Sequence, residues 1–230
     1  MPTRLEPFVN ANIYHIFNKT IDQKRVFQSD KYSQEFYQRL IYYRSTNSTR
    51  SYSDIDKLNK ETQEIINQDI FIEKDYQIKV LSYSFMPNHY HFLLEQCQDD
   101  GISGFVSKVT NSFTRYYNLK NQRKGQLFLK DFKAVLIRTD EQLIHTSRYI
   151  HLNSYSSGVV NSLDELVKYG KASLPHYLGL KNDKLVSSER IMSSFKNIDE
   201  YKNFVFDRAE YQREIEDFKH ITNFTINQWL

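Results

Sequence analysis

Two strand-like runs set back to back constrain this chain more than any other feature. Gln77 to Met86, QIKVLSYSFM, and His89 to Glu95, HYHFLLE, are separated only by Pro87-Asn88. Both runs are rich in aromatic and aliphatic residues, and the dipeptide between them is turn chemistry, so the segment predicts a β-hairpin. Upstream, Asn12 to Asn18 is a short β-branched and aromatic run that predicts a strand, and Ser29 to Arg44 carries Tyr32, Phe36, Leu40 and Tyr43 at helical spacing behind a Ser cap. Downstream, Ile102, Phe105, Val109, Phe113 and Tyr116 or Tyr117 form one stripe of a helix over Gly101 to Leu119, punctuated by Asn121 to Gly125. Leu127 to Thr139 predicts a strand pair or one long bent strand, and Asp140 is expected to cap a helix running to about Asn153. The order strand, helix, strand, strand, helix, strand is the split βαβ pattern of an α+β, ferredoxin-like antiparallel sheet with helices on one face.

Composition removes whole classes of chemistry. The chain has 230 residues, one cysteine and six glycines. It can bury a core without staples, and Cys97 alone excludes a disulfide framework or a cysteine-rich zinc module. Neither G-x-G-x-x-G nor G-x-x-x-x-G-K-[ST] occurs, which argues against dinucleotide and P-loop chemistry. No apolar run approaches the roughly 18 residues of a membrane span, and the first residues lack a signal peptide's apolar core, so a cytoplasmic location is expected. Seventeen Tyr, sixteen Phe and one Trp are too many aromatics for a disordered chain.

The net charge of +3 conceals an uneven distribution. Between Gly101 and Arg138 eight basic residues are opposed by Asp131 alone, interleaved with Phe113, Tyr116, Tyr117, Phe128 and Phe132. Such a segment suits a phosphate backbone with stackable bases, and is equally compatible with a solvated helix face over core aromatics. Ser45 to Thr62 is polar and reads as a loop or insertion, with 46–76 as the whole inserted stretch. Leu163 to Val167 and Ile198 to Phe218 are helical in pattern, which divides the chain into 1–158 and a helical C-terminal extension over 159–230.

His89 and His91 sit two apart in a strand and so project from the same face, where two imidazoles can hold one metal ion. With seven His in 230 residues an H-x-H arises by chance about 0.2 times, so two structural histidines remain an alternative at this point. In RYIHLN, Tyr149 and Asn153 share a helical face, from which a phenol and an amide oxygen could approach the same ion. An oxygen ligand beside two nitrogens suits Mg²⁺ or Mn²⁺ on a phosphate substrate. The competing reading of Tyr149 is a half-buried core residue.

MPNHYHFLL, followed by GQLFLKDFKA and SRYIHLN, resembles the HUH single-tyrosine transposases, most closely their REP-associated branch. The similarity runs in order from about Asn12 to Gly158, and IYHIFNKT resembles the family's first strand. The resemblance implies that His89, His91 and Asn153 hold a divalent metal and that Tyr149 is the nucleophile. It implies cleavage and rejoining of single-stranded or hairpin DNA through a 5′-phosphotyrosine, as a monomer or as a homodimer that exchanges the catalytic helix. Arg115, Lys120, Arg123, Lys124, Lys130 and Lys133 become candidate phosphate contacts. Two departures are visible: the longer polar stretch, and Ser154 where many relatives carry Pro. Other classes remain: a non-catalytic binder stacking bases on Tyr14, Tyr83 and Phe85, a water-using phosphodiesterase, or a nucleophile at Tyr116 or Tyr117.

Overall fold

The computed structural model describes residues 7–222. It contains, in order, β1 (Ile13–Lys19), α1 (Asp30–Tyr43), α2 (Tyr52–Ile55), α3 (Lys60–Asp69), β2 (Ile78–Met86), β3 (His89–Gln96), α4 (Gly101–Lys120), β4 (Lys133–Ile137) and α5 (Asp140–Ser156). Five shorter or terminal helices follow: α6 (Leu163–Val167), α7 (Leu174–Tyr177), α8 (Glu189–Met192), α9 (Ile198–Phe206) and α10 (Ala209–Thr222). The sheet order is β2-β3-β1-β4 and every pair is antiparallel, which is the ferredoxin-like arrangement expected from the element order.

Strand alternation feeds two cores. Tyr14, Ile16, Tyr90, Phe92 and Leu94 point to the face covered by α1 and α4, where Phe27, Phe36, Phe85, Phe113 and Phe128 complete an aromatic cluster. Phe36 has five aromatic ring neighbours with centroids within 5.9 Å and a sixth, Phe92, at 6.4 Å, so much of the aromatic content is core rather than base-stacking surface. Tyr14, Tyr83 and Phe85 are all buried in this layer. The opposite face carries Ile13, Leu93 and Ile137, and α5 packs on it through Leu143, Ile150 and Leu152. Helices of the C-terminal segment then cover α5 with Tyr177, Tyr201 and Val205.

The C-terminal segment also closes the sheet's β2 edge. Phe85 N donates to Lys171 O at 2.8 Å and Ser187 N to Val80 O at 2.9 Å, so an otherwise open edge is paired at two places. Buried Asp183 accepts from the hydroxyls of Tyr37 and Tyr83, joining the segment to α1 and β2.

The structure differs locally from the sequence expectations. Regular pairing in 127–139 is confined to β4; residues before it make only the isolated bridge Thr20 to Phe128. The cap of α5 is Thr139, whose hydroxyl accepts from Gln142 N at 3.0 Å, rather than Asp140, and the helix continues to Ser156. The expected helix over Ile198 to Phe218 is broken between α9 and α10 at Asp207 and Arg208. Residues 46–76 hold α2 and α3, the latter capped by Asn59, whose side chain accepts from Thr62 N. Ser29 makes no side-chain cap on α1.

Candidate active site

Residues directly opposite one another in an antiparallel pair share a face, so the register places the candidate groups. His89 lies opposite Lys19 and Met86, His91 opposite Phe17 and Ser84, and His15 opposite Leu93 and Val135. Leu93 belongs to the core under α5, so both histidines of the H-x-H and His15 face that helix. The His89 and His91 rings are 5.1 Å apart.

Tyr149 stands over this floor. Its ring meets His91 edge-on at 5.8 Å and His15 at 5.9 Å between centroids. Burial, then the Glu216 carboxylate, pushes its phenol up to about 12, with the amide of Asn153 one turn later acting in the opposite direction. At neutral pH the phenol is protonated, and it needs help to act as a nucleophile. Tyr116 and Tyr117 are on α4, on the other side of the sheet, where they pack with Tyr32 and Phe113.

Two contacts fix the ring orientation of the histidine pair. His89 Nδ1 lies 2.7 Å from Asn88 Oδ1, and because a carbonyl oxygen only accepts, Nδ1 carries the proton and Nε2 the lone pair. His91 Nδ1 lies 2.9 Å from His15 Nε2. Burial holds His89 down at about 4, with Lys19 adding to the effect, and burial alone holds His15 at about 4. His89 and His15 are therefore neutral near pH 7, the state a metal ligand such as His89 would need.

These residues fit a divalent ion. Asn153 is 6% exposed and one helical turn beyond Tyr149; its Nδ2 is only a donor, so its amide oxygen is the atom that would ligate an ion. No group of three His, Cys, Asp or Glu suited to a metal exists among the described residues. His89 and His91 on the sheet face and the Asn153 amide oxygen on α5 would be the donors for such an ion, a set that leaves coordination positions for phosphate oxygens.

Helix α5 is located by a buried polar chain. His151, fully buried, shares hydrogen bonds with Ser173 Oγ at 2.8 Å through Nε2 and with the Tyr201 hydroxyl at 2.8 Å through Nδ1. Tyr201 continues to Ser147 Oγ at 2.8 Å, and Ser173 Oγ accepts from Tyr83 N in β2 at 2.9 Å. From α10, Gln212 Nε2 donates to the Tyr149 carbonyl at 3.2 Å.

The basic candidates divide. Lys133 lies opposite Phe17 and so shares the histidine face, while Lys120, Lys124 and Lys130 are exposed. Arg115 is exposed on α4, away from the histidine face. Arg123 turns its guanidinium back on the loop, donating to Asn118 Oδ1 and to the carbonyls of Gly125 and Gln126. The sequence reading missed Lys19, exposed and opposite His89, and His15. Both have the right strand parity in NIYHIFNK, but only the β1 to β3 register shows that they flank the H-x-H.

A small antiparallel sheet with an H-x-H on its central strand and a tyrosine helix across it defines the single-tyrosine class of DNA-processing folds that the motifs resemble. The sequence profile described as "Transposase IS200 like" matches residues 9–153. The chain belongs to the IS200-like transposase family. Among solved structures it is similar to one described as the REP-associated tyrosine transposase bound to a REP hairpin, with a TM-score of 0.54, 12% identity, and coverage of 81% of this chain and 98% of that one. That likeness establishes a shared fold. None of the curated proteins matches the chain by sequence. Among the described residues no helix is long and apolar enough to cross a membrane.

Proposed function

We propose that this protein is a metal-dependent tyrosine transposase of the REP-associated kind, which cleaves and rejoins single-stranded or hairpin DNA through Tyr149. The observation that carries the reading is the placement of Tyr149, within one chain, over the face that holds His89 and His91. A divalent ion, Mg²⁺ or Mn²⁺, held by His89, His91 and Asn153 would supply charge stabilisation at the scissile phosphate. Tyr149 Oη forms the new bond to phosphorus while the bond from phosphorus to the 3′ oxygen breaks. The phenolic proton is lost and the leaving oxygen gains one, giving a 5′-phosphotyrosine and a free 3′-hydroxyl. The ester retains the energy of the phosphodiester, so another 3′-hydroxyl can reverse the step and join new ends without ATP.

Lys19 and Lys133, on the histidine face, and Lys130, close to Lys19 through the Leu129 N to Lys19 O bond, would hold the phosphates beside the scissile one. Lys120 and Lys124 would extend that contact, whereas Arg123 shapes the turn. We assign the chemistry to residues 1–158, and to the extension from 159 the positioning of α5, because His151 is held by Ser173 and Tyr201. The partner is DNA, and the proximity of Tyr149 to His91 in one chain favours action as a monomer.

The test mixes the protein with Mn²⁺ and a pool of labelled single-stranded hairpins and follows label through a denaturing gel. Label on wild type, absent from Tyr149→Phe and His89→Ala, is expected. Label retained by Tyr149→Phe would overturn the assignment of the nucleophile. Cleaved but unlinked DNA would indicate a water-using nuclease, and salt-sensitive binding of intact DNA a plain binding module.

A further inference from the structure

On the histidine face stands a buried histidine that the proposed chemistry does not use, His15, whose hydrogen bond goes to a candidate metal ligand. His15 is 1% exposed and His91 7%; their rings stack at 5.2 Å with 22° between planes, and His15 Nε2 is 2.9 Å from His91 Nδ1. The other nitrogen, His15 Nδ1, is buried without a hydrogen-bond partner. Around it stand Phe17, at 5.1 Å between ring centroids, and the edge of Tyr149. The hydrogen bond that His15 makes joins the two imidazoles, nitrogen to nitrogen.

One proton lies between the two nitrogens, and its side decides what His91 can do. With the proton on His15 Nε2, His91 Nδ1 is the acceptor and a neutral His91 carries its proton on Nε2, where it cannot ligate. With the proton on His91 Nδ1, His15 accepts it, and His91 Nε2 presents a lone pair to the ion. Metal-ligating histidines ordinarily settle this by donating to a carboxylate or a backbone carbonyl, which can only accept. His89 follows that rule through Asn88 Oδ1. His91 instead faces an imidazole, which can take either role.

We propose that His15 is a positioning residue for the metal site, accepting the Nδ1 proton of His91 and so holding His91 in the tautomer and ring orientation that ligate a divalent cation. The inference rests on the reading of His91 as a metal ligand. In that tautomer the proton of His15 sits on Nδ1, so the buried imidazole bears an unpaired N–H as the cost of serving as acceptor. Removal of a ligand's orienting partner characteristically weakens metal binding about 10- to 100-fold.

The experiment measures Mn²⁺ affinity of the purified full chain without DNA, from the loss of the free Mn²⁺ electron paramagnetic resonance signal, with thermal unfolding recorded for each variant. His15→Phe keeps a ring but has no acceptor, and a 10- to 100-fold weaker affinity is expected; His15→Gln, whose Oε1 accepts, is expected to recover most of it. If His15→Phe does not fold, His15→Met, also without a strong acceptor, replaces it against His15→Gln. Wild-type affinity in a folded His15→Phe or His15→Met overturns the proposal while leaving the metal site standing. Equal Mn²⁺ affinity in wild type and His91→Ala overturns the reading of His91 as a ligand, and the role of His15 with it. Equal weakening in His15→Gln and His15→Phe overturns the acceptor role in favour of simple packing.

Discussion

Tyr149 meets His91 edge-on, with ring centroids 5.8 Å apart and 83° between planes, and both residues come from one chain. The helix that carries Tyr149 cannot shift without disturbing buried bonds to Ser173 and Tyr201 further along the same chain. An active site assembled in this way should not be rebuilt from two defective copies. A mixture of Tyr149→Phe and His91→Ala protein is expected to form no more covalent DNA adduct than either variant alone. Recovery of a substantial fraction of wild-type adduct in the mixture would show that subunits exchange the helix.

Lys19 sits opposite His89 at the end of β1, exposed, with its backbone carbonyl accepting from Leu129 N. A lysine there reaches phosphate without competing with a carboxylate, since Lys19 makes no ion pair among those of the described residues. Each phosphate contact to single-stranded DNA contributes about 0.7 to the slope of log affinity against log salt. Lys19→Gln is therefore expected to weaken hairpin binding and to lower that slope by about 0.7 to 1. Arg123→Gln should loosen the turn after α4 and leave the slope nearly unchanged, because its guanidinium is bonded to Asn118, Gly125 and Gln126. Salt titrations of the two variants beside wild type distinguish them.

The hairpin, the helices on either side of it and the H-x-H could be read from the chain because each is encoded by local period. QIKVLSYSFM and HYHFLLE need only their own alternation and the Pro87-Asn88 turn. That Tyr149 and Asn153 share a face of α5 was legible because four residues along a helix define one face. His15 and Lys19 were not, because their role comes from pairing with residues some 75 positions away, and no local pattern sets that register. The basic run from Gly101 to Arg138 shows the same limit: residues adjacent in sequence separate to α4, a turn and β4, and among the six candidates Lys133 is the one whose strand register places it on the histidine face. The break at Asp207 and Arg208 lies within a continuous helical pattern, so the apolar period alone does not mark it.

The chain of bonds through Tyr83, Ser173, His151, Tyr201 and Ser147 makes the C-terminal segment part of the machinery that holds α5. Tyr201→Phe removes one hydroxyl and leaves His151 Nδ1 and Ser147 Oγ unsatisfied in the core. A loss of about 1–3 kcal/mol is expected, read as a lower urea midpoint. Burial, with His176 adding to it, holds His151 down at about 3 from an ordinary value of 6.5. The unfolded chain thus binds a proton at His151 below about pH 6.5 that the folded chain refuses down to about 3. This group's contribution to stability is complete above pH 6.5 and is lost as the pH falls through that window. The urea midpoint of wild type should fall between pH 7.5 and 5, and less steeply in His151→Gln if that variant folds. A wild-type midpoint that does not change over this range would show that His151 takes up its proton equally in both states.

Gly101 and Gly104 open α4 only three residues apart, yet the two positions should respond oppositely to the same change. A Cβ on Gly101 would fall 2.2 Å from the Gln77 carbonyl oxygen and 3.1 Å from its carbon. That carbonyl already accepts from Cys97 N at 3.0 Å and Gln98 N at 3.3 Å, where the end of β3 meets the residue before β2. It cannot yield without loosening the strand that carries His89 and His91. A Cβ on Gly104 would meet only the end of the Gln77 side chain at 3.5 Å, an ordinary contact. Gly101→Ala is expected to destabilise the protein by about 1–3 kcal/mol, as overpacking does, and to lower Mn²⁺ affinity through β3. Gly104→Ala should stabilise it by about 0.5–1 kcal/mol by restricting the unfolded chain and improving helix propensity. Urea denaturation of the two variants measures both signs at once, and a neutral Gly101→Ala would mean that α4 can pivot away from the sheet at its first turn.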